Sequence, residues 1–114
     1  MADLKVVDIF CNNQQEVSGD EIYLKIGDER LEIKWSDGTW NQMFSGDLVK
    51  INKEFDVNSG VKVALYEYDP GWNPDELIES ERIGFRSGGS FDVTFSTSTD
   101  DVRYTSYTVT FDWV

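Results

Sequence analysis

Histidine is absent from this chain of 114 residues. That absence removes the commonest general base, the commonest activator of a nucleophile and the commonest transition-metal ligand together. Cys11 is the single cysteine, so no intrachain disulfide forms, and zinc and iron–sulfur sites lack their ligands. It ends an apolar run with no base beside it, which predicts a buried, inert thiol. Basic residues are scarce, 10 Lys and Arg against 22 Asp and Glu, for a formal net charge of -12. A surface this acidic repels nucleic-acid phosphates and does not bind an anionic membrane unaided. No apolar run approaches the length of a membrane span, and no charged-then-apolar leader precedes the first strand. A soluble chain in a reducing compartment, the cytoplasm foremost, is expected.

What is present is a folding sequence. Apolar residues make up 39% and aromatics 14%, too rich for disorder despite the charge. The length fits one domain over residues 1–114. Short alternating runs, rich in β-branched and aromatic residues, recur between turn signals. They predict strands at 4–11, 21–26, 30–35, 39–44, 48–57, 61–68, 81–85, 90–96 and 102–113. Gly27-Asp28 and Asp37-Gly38 are hairpin turns. No window carries a capped helical stripe, apart from one helical turn expected at 73–78, with Asn73 as N-cap and Pro74 at the first position. The fold class is therefore all-β, an antiparallel β-sandwich of about eight strands. Period-2 positions nominate its core, among them Val6, Ile22, Leu24, Val63, Leu65, Phe95, Tyr107, Val109 and Phe111.

Acidic residues gather in two segments that read as loops. Glu67, Asp69 and Asp75 span Glu67-Tyr68-Asp69-Pro70-Gly71-Trp72-Asn73-Pro74-Asp75. Glu16, Asp20 and Glu21 precede the strand Ile22-Tyr23-Leu24-Lys25-Ile26. Carboxylates at i, i+2 and i+8 across a Pro/Gly loop suit a hard, oxygen-seeking cation, and Ca²⁺ takes six to eight oxygens from a flexible cage. Solubility alone is the competing use of such residues. Yet two like charges about 5 Å apart at an effective dielectric near 20 cost roughly 3 kcal/mol, which argues for a neutralising ion.

The loops also resemble those of a known family. The strand ending Glu67-Tyr68-Asp69, with Asp75 six residues further on, is similar to the third calcium loop of C2 domains, whose strand ends in D-x-D before a further Asp. Ser18-Gly19-Asp20-Glu21-Ile22-Tyr23-Leu24-Lys25-Ile26 resembles the family's G-x-S-D-P-Y-V-K-L, which closes its first calcium loop. The resemblance implies an eight-stranded sandwich that binds Ca²⁺ through Glu67, Asp69, Asp75, Asp20 and Glu16 or Glu21. The departures are Glu67 in place of the first Asp, Gln14 and Gln15 where the family has an upstream Asp, no Pro after Asp20, and no polybasic strand.

These features predict a non-enzymatic calcium-binding module that presents its loops to a protein, membrane or glycan partner. An acidic interaction protein, such as an inhibitor, immunity factor or nucleic-acid mimic, is a different reading, in which the charge itself engages a basic target. A third is a carbohydrate-binding sandwich using Trp72 with Trp35 or Trp40. Trp72 lies inside the acidic loop, either as an exposed partner-binding ring or packed over Pro70 and Pro74. Paired carboxylates also serve glycosidases, but a chain this short has no spare segment to build a cleft.

Overall fold

The alternation becomes strands in a computed structural model that describes residues 2–57, 60–69, 74–86, 89–97 and 104–114. In chain order these are β1 (Ala2–Asn13), β2 (Ile22–Ile26), β3 (Glu29–Glu32), β4 (Leu48–Val57), β5 (Gly60–Glu67), β6 (Glu76–Gly84), β7 (Phe91–Ser96) and β8 (Ser106–Trp113). They form two four-stranded sheets, ordered β4-β1-β8-β7 and β3-β2-β5-β6. Every pairing is antiparallel. The fold is the expected all-β sandwich. Leu24, Leu65, Phe95, Tyr107 and Phe111 lie fully buried between the sheets. Burying a side chain of this size contributes about 2–3 kcal/mol.

Two irregularities decide which residues face inward. β1 changes register between Val6 and Asp8 against both of its neighbours. Leu4 and Val6 point into the core before that shift, and Ile9 and Cys11 do so after it, because an extra residue reverses the parity of a strand. Asn52, opposite this region on β4, has φ 53°, a left-handed conformation that asparagine tolerates better than most side chains. In β6 the register passes from Glu79 opposite Leu65 to Leu77 opposite Tyr66. Ile78 is the extra residue there and is buried.

Three sequence expectations are corrected. β6 begins at Glu76, so the expected helical turn at 73–78 is extended from Glu76 onward; cross-strand pairing of Glu76 and Leu77 with Glu67 and Tyr66 wins over the local cap signal. Asn73 lies outside the described residues. The expected strand at 39–44 is reduced to two isolated bridges, Lys34 with Trp40 and Asp20 with Met43. Turns at Gly38 and Gly46, with φ of 90° and 95°, bound the segment on either side. The last strand starts at Ser106, and 102–103 lie outside the described residues.

One flank of the sandwich is closed by side chains. The Ser96 amide donates to the Glu79 carboxylate at 2.9 Å, and the Trp113 indole N–H donates to the Gly84 carbonyl at 3.0 Å. These bonds join β6 to the other sheet. The described parts of both acidic segments lie at one end, where β1 leads into β2 and β5 leads into β6.

Candidate functional site

Asp20 organises the loop end. Gly19 precedes it at φ 92°, and a Cβ there would lie 2.9 Å from the Phe44 ring, so this approach requires glycine. Backbone bonds of 2.9 and 2.8 Å clamp Asp20 to Met43. The Asp20 side chain is fully buried. Its Oδ2 accepts from the Gln15 amide at 2.8 Å and from the Tyr107 hydroxyl at 2.7 Å, while Oδ1 accepts from the Glu16 amide at 2.9 Å. A buried carboxylate requires such donors, since an unpaired one is costly. Burial and the adjoining Asp20 charge push the Tyr107 phenol far up, so it stays a donor. Behind it, burial pushes the Cys11 thiol up to about 11, in keeping with an inert core cysteine.

Glu67 ends β5 and is 6% exposed. Its carboxyl group lies against those of Asp20 and Glu16. Burial first, then the Asp20 and Glu16 charges, push it up to about 9. The shift favours the protonated form of Glu67, whose proton relieves the repulsion among these acids. Its Oε2 is buried without a hydrogen-bond partner.

Asp75 belongs to a separate arrangement on the outer side of β2. Its Oδ1 accepts from the Asp69 amide at 2.9 Å and its Oδ2 from the Tyr23 hydroxyl at 2.6 Å. The Asp69 amide and then the Tyr23 hydroxyl hold its carboxyl below the usual range, with Arg30 adding a smaller effect. Burial and Asp75 in turn push Tyr23 up to about 12. Glu21 contributes its carbonyl, which accepts from the Tyr68 amide at 2.7 Å. The Gln15 side-chain amide donates to Glu76 at 2.9 Å, clipping the first loop to the start of β6.

The six acids expected to form one cage thus divide into an inner group, Asp20, Glu67 and Glu16, and an outer pair, Asp69 and Asp75. Glu21 joins neither group by a side-chain hydrogen bond or ion pair among the described residues. Among those residues no group of three or more His, Cys, Asp or Glu side chains is arranged to hold a metal ion. Trp72, expected to meet a partner, lies outside them. Trp40 stacks on Tyr68 at 4.8 Å under the Lys34 ammonium, and Trp35 is exposed. Tyr23 and Tyr107 were missed as members of the site. Their one signal was a tyrosine at a period-2 position ending near an acidic loop.

Comparison with known proteins adds the fold and little else. No family model and no curated protein matches this chain. It is similar to a solved structure described as "CC2D1B coordinates ESRCT-III activity during the mitotic reformation of the nuclear envelope", with a TM-score of 0.57 and 14% identity. The match covers 98% of this chain and 53% of that one, so this chain spans about half of its length. The likeness is one of fold alone. Among the described residues no helix is long and apolar enough to cross a membrane.

Proposed function

We propose that this chain is a non-enzymatic, C2-like interaction module whose loop end is held by its own hydrogen bonds and works without calcium. The observation that carries this reading is the engagement of Asp20 and Asp75. Amides of Gln15 and Glu16 and the Tyr107 hydroxyl donate to Asp20, and the Asp69 amide and Tyr23 hydroxyl donate to Asp75. A carboxylate supplied with such donors is already stabilised in its charged form. The protein described as coordinating ESRCT-III activity shares the fold at low identity, which is compatible with a module that organises partners.

Thermal unfolding in EDTA, millimolar Ca²⁺ and millimolar Mg²⁺ tests the proposal. The melting temperature should be the same in all three. A ligand at about a hundred times its dissociation constant would add roughly 2.7 kcal/mol, so a rise of several degrees with Ca²⁺ alone overturns it.

One observation favours the calcium reading instead: the unpartnered Glu67 Oε2 beside Asp20 and Glu16. In that reading these three carboxylates, with backbone carbonyls, would hold the ion, and Ca²⁺ would replace the Glu67 proton. Glu67→Gln would then abolish a calcium-induced rise that the wild type shows.

A further inference from the structure

The basic residues of this acidic chain are not scattered. Directly opposed residues in an antiparallel sheet share a face. In the sheet β3-β2-β5-β6, Lys25 stands opposite Arg30, and Lys62 opposite Arg82. Their chain neighbours Leu24, Ile26, Val61, Val63 and Ile83 are buried, so all four cations project from the outer face. Lys34 joins them at the margin, its Nζ 3.2 Å from Glu32. Among the described residues two acids meet this face: Glu32, opposite Tyr23 on the neighbouring strand, and Asp75, which reaches the Tyr23 hydroxyl from the loop end. Both lie on the Arg30 side of the strip, away from Lys62 and Arg82. The other sheet has the reverse character. Its outer face carries Asp3, Asp8, Glu54, Asp56, Asp92 and Asp112 against Lys5 and Lys50.

Like charges set directly opposite each other destabilise a sheet. Here two such pairs occur in a chain with 22 acidic residues to choose from. Arg30 is balanced by Glu32 at 3.0 Å. Lys25, Lys62 and Arg82 make no ion pair among the described residues. Beside them lies an aromatic floor, with Tyr23 stacked on Tyr66 at 5.2 Å and Arg30 3.7 Å above Tyr23. The cost of the opposed pairs is recovered if an anionic partner lies across them.

We propose that this outer face docks an extended, acidic polypeptide segment, its carboxylates meeting the Lys25–Arg30 and Lys62–Arg82 pairs; the proposal rests on the interaction-module reading. Net charge selects the occupant. An anionic membrane would set a broad negative surface against the acids of the loop end as well. A second copy of this chain would bring its whole charge of -12 with it. Electrostatic reach at physiological salt is only about 8 Å, so a narrow segment on the strip feels the cations and little of the remaining charge.

The test is fluorescence anisotropy of a short, labelled Glu-rich peptide, at low and physiological ionic strength, in EDTA and again in millimolar Ca²⁺. The wild type should bind in both, more weakly at the higher salt. Lys25→Gln with Arg82→Gln should weaken binding at least about tenfold without lowering the melting temperature, because each change removes half of a repulsive pair. Lys5→Gln with Lys50→Gln makes the same change of net charge on the other face and should alter binding less than about twofold. Equal weakening by the two double variants overturns the assignment of the face. So does binding of phosphatidylserine vesicles or duplex DNA with no binding of the peptide. Absence of peptide binding in both EDTA and Ca²⁺ also overturns it and leaves the metal-independent reading standing. Binding in Ca²⁺ alone overturns that reading instead.

Discussion

Replacing Glu67 with glutamine should change how stability depends on pH. In the folded chain the Glu67 carboxyl is 6% exposed and pushed up to about 9, by burial and by the Asp20 and Glu16 charges. In the unfolded chain it titrates near 4.3. The folded state therefore holds a proton that the unfolded state releases, and stability falls as pH rises between those two values. One such proton is worth about 1.4 kcal/mol per pH unit. Wild-type stability should therefore fall from pH 5 towards pH 8 at no more than that slope, by an amount on the order of a few kcal/mol. Glutamine keeps the shape and supplies an N–H to the neighbouring carboxylates, but does not titrate. The variant and wild type should be of similar stability near pH 5, and the variant should pull ahead steadily towards pH 8. Because both proteins share every other titrating group, the difference between their urea-unfolding free energies reports Glu67 together with its coupling to Asp20 and Glu16. Parallel curves from pH 5 to pH 8 would refute the reasoning, and with it the neutral state of Glu67.

The other expectations concern the groups around it. Tyr107→Phe removes a donor from fully buried Asp20 and should cost roughly 1.5–3 kcal/mol by urea unfolding. Gly19→Ala puts a methyl group 2.9 Å from the Phe44 ring at φ 92° and should destabilise by about 1–2 kcal/mol in a calorimetric melt. Asp75→Asn loses a carboxylate whose folded pKa lies below its usual value. Its contribution is present above the unfolded pKa near 3.9 and is lost as pH falls through the lower folded value. The deficit of Asp75→Asn in urea unfolding should therefore be larger at pH 6 than at pH 3.

The fold was legible where alternation was unbroken. Ile22, Leu24, Val63, Leu65, Val109 and Phe111 all sit in the core that their period-2 spacing predicts. Illegible were residues whose parity depends on a bulge, Ile9 after the shift in β1 and Ile78 in β6, whereas Cys11 is buried as its apolar run predicts. A bulge is set by pairing with a distant strand, and its own segment carries no mark of it. The acidic loops were legible as a group of carboxylates at one end of a sandwich, but the donors that reach them were not. Tyr107 lies 87 residues from Asp20, and Tyr23 lies 52 from Asp75. Nothing local to the acids shows that tyrosine hydroxyls and loop amides donate to them. The basic strip was hidden for the same reason: Lys62 and Arg82 become neighbours only through the β5–β6 register.

The most direct measurement is a calorimetric titration of Ca²⁺ into EDTA-treated, dialysed protein at neutral pH. A loop end held by the hydrogen bonds to Asp20 and Asp75 predicts no saturable heat into the millimolar range, the weakest class of protein calcium sites. A saturable, stoichiometric heat that vanishes with Glu67→Gln would contradict the account and assign the inner carboxylates to the ion.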